Sequence, residues 1–299
     1  MVSIVVCSIR PDQLARLQQS VEATIGLPHE WLVADNRNTG KGICQVYNEL
    51  AAIANHPYLL FLHEDVTFER RDWGKQIRSV FEQHERLGLI GVAGSTIKSS
   101  SISGWYTGNA AFDRYHLTHA LPGHTEVLKQ LPDQHVAYHP VVCLDGVFLF
   151  VRRSVWEAMP FDAEQVKGFH FYDLDFSLRV ANKFDVGVVS DLGLIHHTEA
   201  GGDYGTRWAR EAILFHQRWK ERLPMNIPGA QFSEGKIQRV WLDRLKNQSI
   251  RLADRINWVR VQRQFLHPGL YYSILKFFLY HPLRLRRVHQ YLRSLRKQA

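Results

Sequence analysis

Three ionisable residues in a row follow a short apolar stretch in the first quarter of the chain. The segment "LLFLHEDVTF" covers residues 59–68 and holds His63, Glu64 and Asp65 between apolar side chains. In an open α/β sheet, ligands bind outside the carboxyl ends of the strands, so an apolar strand ending here would hold carboxylates on a rigid mount. Carboxylate oxygens suit divalent cations such as Mg2+ and Mn2+, and His63 could add an imidazole ligand. The alternative is a strand end with solvated acids.

A second cluster of acids lies in "GFHFYDLDFSLRVANKF". Asp173 and Asp175 stand at the start of a helical pattern, where unsatisfied N–H groups and the helix dipole favour acids. This structural explanation covers both, and it is the preferred one for Asp175. Asp173 also lies between Tyr172 and further aromatic residues. An apolar setting raises the pKa of a carboxyl and suits it to general-base catalysis.

A third cluster is the pair His196-His197 in "LGLIHHTEAGG". Two histidines end an apolar strand and precede a glycine-rich turn. Such a pair is more often structural than metal-binding. A separate carboxylate cluster elsewhere in the chain shifts the interpretation towards contact with a metal or a phosphate. The sequence does not show which of the two would make that contact.

Strand and helix patterns alternate over roughly the first 94 residues. Short β-branched runs such as "VSIVVCS", "HEWLVAD" and "YLLFL" are separated by amphipathic helical segments. This alternation predicts βαβ units and a parallel sheet. Residues 95–140 show no clear period, which favours a long functional loop. From about Tyr204 the pattern is helical, so we expect a domain over 1–222 and a basic, mostly helical region over 223–299.

The composition is that of an ordinary globular protein. The chain has 299 residues, of which 45% are hydrophobic and 22% charged, so it can bury a sizeable core. The N-terminal segment reads as a strand, not as a secretory signal, and no apolar run reaches the roughly 20 residues of a membrane span. Three scattered cysteines argue against disulfides and a zinc cage. We therefore expect a cytoplasmic protein.

The positive charge is concentrated at the C-terminal end. The formal net charge is +8, and the last stretch, "HPLRLRRVHQYLRSLRKQA", has no acid. A basic end suggests a polyanionic partner, either an anionic membrane surface or nucleic acid. The alternative is a solvated helical tail.

In their order, the three clusters resemble glycosyltransferases of the large family 2 type. The resemblance covers roughly residues 1–220. The motifs "FLHEDV", "GFHFYDLDFSLR" and "IHHTEAGG" are similar to those of a bacterial subgroup of these enzymes. It implies the GT-A fold: a Rossmann-like mixed, mostly parallel sheet flanked by helices, here with a C-terminal helical extension. It also implies sugar transfer from a nucleotide-sugar donor.

The resemblance assigns roles to individual residues. Asp65 would hold the metal that bridges the donor diphosphate, and His196 or His197 would complete the metal site, with a preference for His197. His63 stands where many relatives have the first acid of an Asp-x-Asp motif, so it would contact metal or ribose. Asp173 would deprotonate the acceptor hydroxyl. The implied donor pocket contains Ile9, Arg10, Asp35, Asn48, His63, Glu64, Asp145 and Gly146.

The implied reaction needs a divalent cation, Mn2+ or Mg2+, and a donor, most simply a UDP-sugar. A single displacement with one base inverts the anomeric centre. The acceptor would be a glycan or a lipid-linked glycan in bacterial surface polysaccharide synthesis. The basic tail would then lie on the inner face of the cell membrane.

Three other functions are compatible with parts of the sequence. A nucleotidyltransferase or another nucleotide-sugar enzyme would also use paired acids, but "CSIRPDQ" lacks the glycine-rich loop expected after the first strand. A nucleic-acid binder fits only the charged tail, and no zinc finger or RNP-like signature is present, so we expect no nucleic acid partner. A Rossmann oxidoreductase is disfavoured because no G-x-G-x-x-G follows the first strand.

Overall fold

The structure, a computed structural model, describes residues 1–121, 123–133, 135–197, 204–263 and 270–279. The basic stretch 281–299 lies outside the described residues, so its proposed membrane contact stays a prediction. The described chain divides into two compact units. The first holds residues 1–98, 109–197 and 225–230, and the second holds 99–108, 204–224, 231–263 and 270–279. The domain boundary predicted at residue 222 stays a prediction.

The strands all belong to the first unit. They are β1 (Val2–Ser8), β2 (His29–Asp35), β3 (Tyr58–Leu62), β4 (Val66–Phe68), β5 (Leu87–Gly91), β6 (Ala93–Ser95), β7 (Ile97–Lys98), β8 (Asp113–Leu121), β9 (His124–Gln130), β10 (His139–Pro140), β11 (Cys143–Leu144), β12 (Phe148–Arg152), β13 (Asp185–Val188), β14 (Leu194–His196) and β15 (Met225–Asn226).

Five helices of the first unit are α1 (Pro11–Thr24), α2 (Ile43–Ala52), α3 (Trp73–Gln83), α4 (Arg153–Ala158) and α5 (Tyr172–Ala181). The described helices of the second unit are α6 (Thr206–Trp219), α7 (Glu234–Leu245), α8 (Leu252–Val261) and α9 (Tyr271–Leu279).

The main sheet is mixed and has the strand order β10-β13-β5-β12-β3-β1-β2. Strand β1 pairs in parallel with both β2 and β3, and β13 pairs in parallel with β5. Strand β12 lies antiparallel between β3 and β5. The apolar residues 59–62 of β3 are fully buried because the strand is central in the sheet. This arrangement confirms the predicted mixed α/β class.

A second sheet adjoins the site that is described below. Its order is β11-β6-β8-β14-β4, and β9 pairs with β8 at its edge. Strands β8 and β9 form a long antiparallel hairpin within the segment 95–140, which we expected to be an irregular loop. Only Asp113 and Leu117 of β8 are buried. An edge hairpin that buries so few residues shows no clear hydrophobic period, and the sequence pattern therefore misses it.

The second unit is built around stacked tryptophans. The ring of Trp208 on α6 stacks on Trp241 of α7 and on Trp258 of α8, with centroids 5.0 and 5.9 Å apart. The buried Arg255 of α8 donates hydrogen bonds to several backbone carbonyls, including that of Phe277 on α9. Of the helices in the described part of the chain, none has the length and hydropathy to cross a bilayer.

Candidate functional site

His63, Asp65 and His196 bring their ligand atoms together where the central strand ends. His63 directly follows β3, Asp65 precedes β4, and His196 ends β14. Antiparallel pairing of β14 with β4 sets His196 opposite Val66, next to Asp65. One ligand atom of each of the three lies within 4.8 Å of the others. Two sheets and two chain segments far apart in the sequence thus build one cluster.

The pleat of β14 separates the two adjacent histidines. Successive residues of a strand point to opposite faces, so only one of the pair can face Asp65. Nε2 of His196 lies 3.2 Å from Oδ2 of Asp65. The Nε2 atom of His197 instead lies 2.7 Å from the hydroxyl of Thr67, and its backbone N–H donates to the carbonyl of Asp65. The structure therefore brings His196, and not the imidazole of His197, into the cluster.

A tyrosine hydroxyl fixes the orientation of His63. The hydroxyl of Tyr172 lies 2.8 Å from Nε2 of His63 and 3.1 Å from the carbonyl oxygen of Gly146. A carbonyl can only accept, so the Tyr172 hydroxyl donates its proton to Gly146 and accepts from the Nε2–H of His63. This assignment leaves the lone pair of His63 on Nδ1, which faces Asp65 at 4.0 Å. The network presents His63 as an Nδ1 ligand.

Burial and neighbouring charges shift the pKa values of all three residues of the cluster. Burial lowers the pKa of His63 and so favours the neutral ring that can coordinate a metal; the charge of Asp65 only partly offsets this shift. Burial would raise the pKa of Asp65, but the hydrogen bond from His196 and the charges of both histidines lower it overall. Burial would lower the pKa of His196, whereas its bond to Asp65 raises it.

These three residues fit a divalent cation. Oδ1 of Asp65 is buried and has no hydrogen-bond partner among the described residues, which is costly unless another group satisfies it. Two imidazoles and one carboxylate form a donor set for first-row transition metals, whereas Mg2+ prefers oxygen ligands throughout. The donor set therefore fits Mn2+ better than Mg2+.

Asp173 lies at the first turn of α5 with its carboxylate held by two backbone groups. Oδ2 accepts from the N–H of Gly146 at 2.8 Å, and Oδ1 accepts from the N–H of Leu174 at 2.9 Å. Burial, followed by the negative charge of Asp145, raises the pKa of Asp173 to about 7. A carboxyl with this pKa can both take and hold a proton near neutral pH.

Gly146 joins Asp173 to the tyrosine network. Its N–H bonds Asp173 and its carbonyl accepts from Tyr172. A Cβ atom at Gly146 would lie 2.2 Å from the Tyr172 hydroxyl, so only glycine allows this close approach. Asp145 accepts a hydrogen bond from the N–H of Val147 and raises the pKa of both Asp173 and His196. Asp145 and Gly146 thus lie beside the proposed base and the metal cluster.

Glu64 faces away from His63 and Asp65, towards the loop after β1. Its carboxylate accepts from the hydroxyl of Ser8 at 2.6 Å and from the backbone N–H groups of Ile9 and Arg10. These groups precede α1, so Glu64 anchors the loop that the sequence assigns to donor binding. The side chain of Ile9 is exposed.

Asp35 and Asn48 have different surroundings. Asp35 is exposed at the carboxyl end of β2 and forms a bidentate pair with Arg37, whose hydrogen bonds lower the pKa of Asp35 to about 2. The amide of Asn48 donates to the carbonyl of Phe161 and accepts from the N–H of Phe161 and from Trp156. The Asn48 side chain is thus engaged in packing α2 against the segment before α5.

Two side chains that contact the cluster escape the sequence analysis. His119 of β8 pairs in register with His196, and their ring centroids lie 5.5 Å apart. Tyr172 carries no sequence signal beyond its place next to Asp173. By contrast Asp175 is buried and bonds Arg179 one turn later at 2.9 Å, as its position at a helix start suggested.

The fold occurs in solved glycosyltransferases. TarS from S. aureus in complex with UDP is 13% identical with a TM-score of 0.53, and the match covers 97% of this chain and 91% of that one. The mannosyltransferase PcManGT from Pyrobaculum calidifontis, in complex with GDP-Man and Mn2+, is 9% identical with a TM-score of 0.50, over 95% and 86% of the two chains. These likenesses confirm the predicted GT-A fold.

The family follows from the sequence itself. Residues 3–199 match the Glycosyltransferase like family, and the chain belongs to it. No curated protein matches the chain significantly. The prediction of a glycosyltransferase is thereby confirmed.

Proposed function

We propose that this enzyme transfers a sugar from a nucleotide-sugar donor to a hydroxyl of a glycan or lipid-linked acceptor, with a divalent cation held by His63, Asp65 and His196. The observation that carries the proposal is the convergence of the three ligand atoms within 4.8 Å, together with Oδ1 of Asp65, which has no hydrogen-bond partner among the described residues. A bound cation, Mn2+ in preference to Mg2+, would stabilise the negative charge of the departing diphosphate.

Asp173 is the proposed general base. Its two backbone hydrogen bonds fix the direction of the carboxylate, and its raised pKa suits proton transfer near neutral pH. As the acceptor oxygen bonds the anomeric carbon, its proton passes to Asp173. The bond from that carbon to the diphosphate oxygen breaks, and its electron pair leaves with the nucleoside diphosphate. One such displacement inverts the anomeric centre.

A UDP-sugar is the proposed donor. TarS has been crystallised with UDP and with UDP-GlcNAc. In this chain, Ile9, Arg10 and Asp35 at the ends of β1 and β2 are the proposed contacts for the nucleotide. Asp145 and Gly146 lie beside Asp173, which supports their proposed place in the donor-sugar pocket. Glu64 and Asn48 support this pocket through the backbone that they hold.

The proposed setting is bacterial surface polysaccharide synthesis on the cytoplasmic side of the membrane. The high positive charge of residues 281–299 supports a contact with anionic lipid. Deletion from residue 270 is a poor test of this contact because Arg255 donates to the carbonyl of Phe277 in the second unit. Replacement of the tail arginines by glutamine in the full chain avoids that damage.

Donor hydrolysis tests the proposed reaction. The full chain is incubated with a panel of nucleotide sugars in Mn2+, in Mg2+ and in chelator, and the released nucleoside diphosphate is measured. We expect metal-dependent release from one donor, which falls at least about 100-fold in Asp65→Asn. Asp191→Asn, which removes an exposed partner of Arg70, is the matched control. Release that is equally fast in chelator, or in Asp65→Asn, would overturn the proposed metal site.

A further inference from the structure

Two neighbouring helices of the second unit expose large aliphatic side chains. Leu214 on α6 is 60% exposed, and Leu252 and Ile256 on α8 are 54% and 53% exposed. Helices α6 and α8 are joined by the ion pair of Arg210 with Asp254, at 2.7 Å. Single exposed aliphatic residues are common on proteins. The charge around these three is what distinguishes them.

The exposed face of α8 carries both aliphatic residues and arginines. On α8 and the turn after it, Leu252, Ile256, Arg260 and Arg263 follow one another at helical spacing and are all exposed. The opposite face of the same helix is buried, as Trp258 shows. The exposed face of α8 therefore carries apolar side chains in its first turns and cations at its C-terminal end.

The local charge is strongly positive. The ranges 206–219 and 251–263 together hold seven arginines and two acids. Both acids are already paired, Glu211 with Arg207 and Asp254 with Arg210. The side chains of Arg251, Arg260 and Arg263 form no ion pair with any acid of the described chain. We call the exposed residues of these two helices the α6–α8 face. It carries unneutralised cations and the aliphatic residues Leu214, Leu252 and Ile256.

Charge decides what fits this surface. The tail 281–299 is itself basic and would be repelled by it, and so would the same face of a second copy. Nucleic acid would use the arginines, but its phosphates and bases make no use of the exposed aliphatic side chains. An anionic lipid surface uses both features, since phosphates pair with arginine and acyl chains accept leucine and isoleucine.

We propose that the α6–α8 face docks onto the surface of an anionic lipid bilayer. Leu214, Leu252 and Ile256 enter the boundary between headgroups and acyl chains. Arg251, Arg260 and Arg263 bind lipid phosphates. The helices lie on the membrane and do not cross it. This docking is independent of the sugar-transfer reaction and of the tail.

Vesicle co-sedimentation of the full chain tests the proposal. Vesicles of phosphatidylcholine are compared with vesicles that also contain phosphatidylglycerol, at low and high salt. We expect binding only to the anionic vesicles, weakened by salt. Arg260→Gln and Arg263→Gln should each weaken binding about five-fold, and the pair Leu252→Gln with Ile256→Gln about tenfold. Donor hydrolysis, measured in the same preparations, should be unchanged.

Matched controls separate the α6–α8 face from general effects. Ile53→Gln changes an aliphatic residue that is 65% exposed in the first unit, and Arg71→Gln removes an exposed arginine there; neither should change vesicle binding. Four results would overturn the proposal. The first is equal binding to neutral and anionic vesicles. The second is binding that survives in the helix variants but is abolished by glutamine at Arg284, Arg286 and Arg287. The third is a dimer that the Leu252/Ile256 variant dissociates, and the fourth is binding of an RNA oligonucleotide without binding of vesicles.

Discussion

The hydroxyl of Tyr172 lies 2.8 Å from Nε2 of His63, although 109 residues separate the two in the sequence. The same hydroxyl donates to the carbonyl of Gly146. Because that carbonyl cannot donate in return, His63 carries its proton on Nε2 and offers Nδ1 to the cluster with Asp65. Tyr172 is therefore a positioning residue for the proposed metal site.

Tyr172→Phe removes the acceptor that holds His63 in this tautomer. We expect the affinity for Mn2+ to fall about 10- to 100-fold, the usual cost of losing a residue that orients a metal ligand. Calorimetric titration of the full chain measures it without any reaction. Tyr58→Phe removes the same atom from a ring on β3 that packs on Phe81, and it should bind Mn2+ as the unmodified protein does. Equal affinities in both variants would contradict the assigned role.

Asp173→Asn should slow sugar transfer about 10²- to 10⁴-fold, the usual contribution of a general base. It should also change how stability depends on pH. The folded protein holds the pKa of Asp173 at about 7, above its ordinary value of 3.8, so between these values the folded state binds a proton that the unfolded state lacks. The resulting contribution to the stability of the folded state is complete below pH 3.8 and is lost as the pH rises through about 7.

The melting temperatures of the unmodified protein and of Asp173→Asn are measured between about pH 4 and pH 7. We expect the unmodified protein to lose stability relative to Asp173→Asn as the pH rises towards about 7. The rate of transfer by the unmodified protein should fall as the pH drops below the same value, since the base is then protonated. Melting curves that shift in parallel would show that Asp173 has an ordinary pKa.

Glu64→Gln tests whether this residue anchors the loop or contacts the donor. Its carboxylate accepts from Ser8, Ile9 and Arg10, and the neutral amide weakens these bonds. We expect a loss of about 1–3 kcal/mol in the free energy of unfolding by denaturant. Glu82→Gln, which removes an exposed ion pair with Arg78 one helical turn away, should lower the free energy of unfolding by less than about 0.5 kcal/mol. Unchanged stability with lost donor binding would make Glu64 a direct donor contact.

Gly146→Ala should disturb both halves of the site. The new methyl group would overlap the Tyr172 ring, 2.6 Å from Cζ, and this ring is buried against Tyr47. Since Tyr172 cannot move without releasing His63, we expect weaker Mn2+ binding together with slower transfer. Both are measured on one preparation of the full chain. Normal Mn2+ affinity in this variant would show that the tyrosine network does not support the metal site.

The sequence predicted the strands and the site residues whose positions depend on strand periodicity. Apolar runs with β-branched residues mark β1, β2 and β3, and the carboxyl ends of parallel strands meet at one edge, so Asp65 could be expected at the site. The choice between His196 and His197 was not accessible, because it depends on the register of β14 against β4. Nor was the hairpin of β8 and β9, in which only Asp113 and Leu117 are buried.

Contacts between residues far apart in the sequence could not be predicted either. Asn48 was expected near the donor, but its amide bonds the backbone of Phe161, 113 residues away. The contact between Tyr172 and His63 has no local pattern because it arises only when α5 packs beside the end of β3. Local periodicity defines elements, whereas these contacts depend on how the elements pack.

The most direct test of the metal site compares two adjacent residues. Mn2+ is titrated calorimetrically into the full chain and into His196→Gln and His197→Gln. The structure places Nε2 of His196 3.2 Å from Asp65 and that of His197 on Thr67. We therefore expect His196→Gln to lose most of its Mn2+ affinity and His197→Gln to keep it. Loss in His197→Gln with normal binding in His196→Gln would contradict the proposed site.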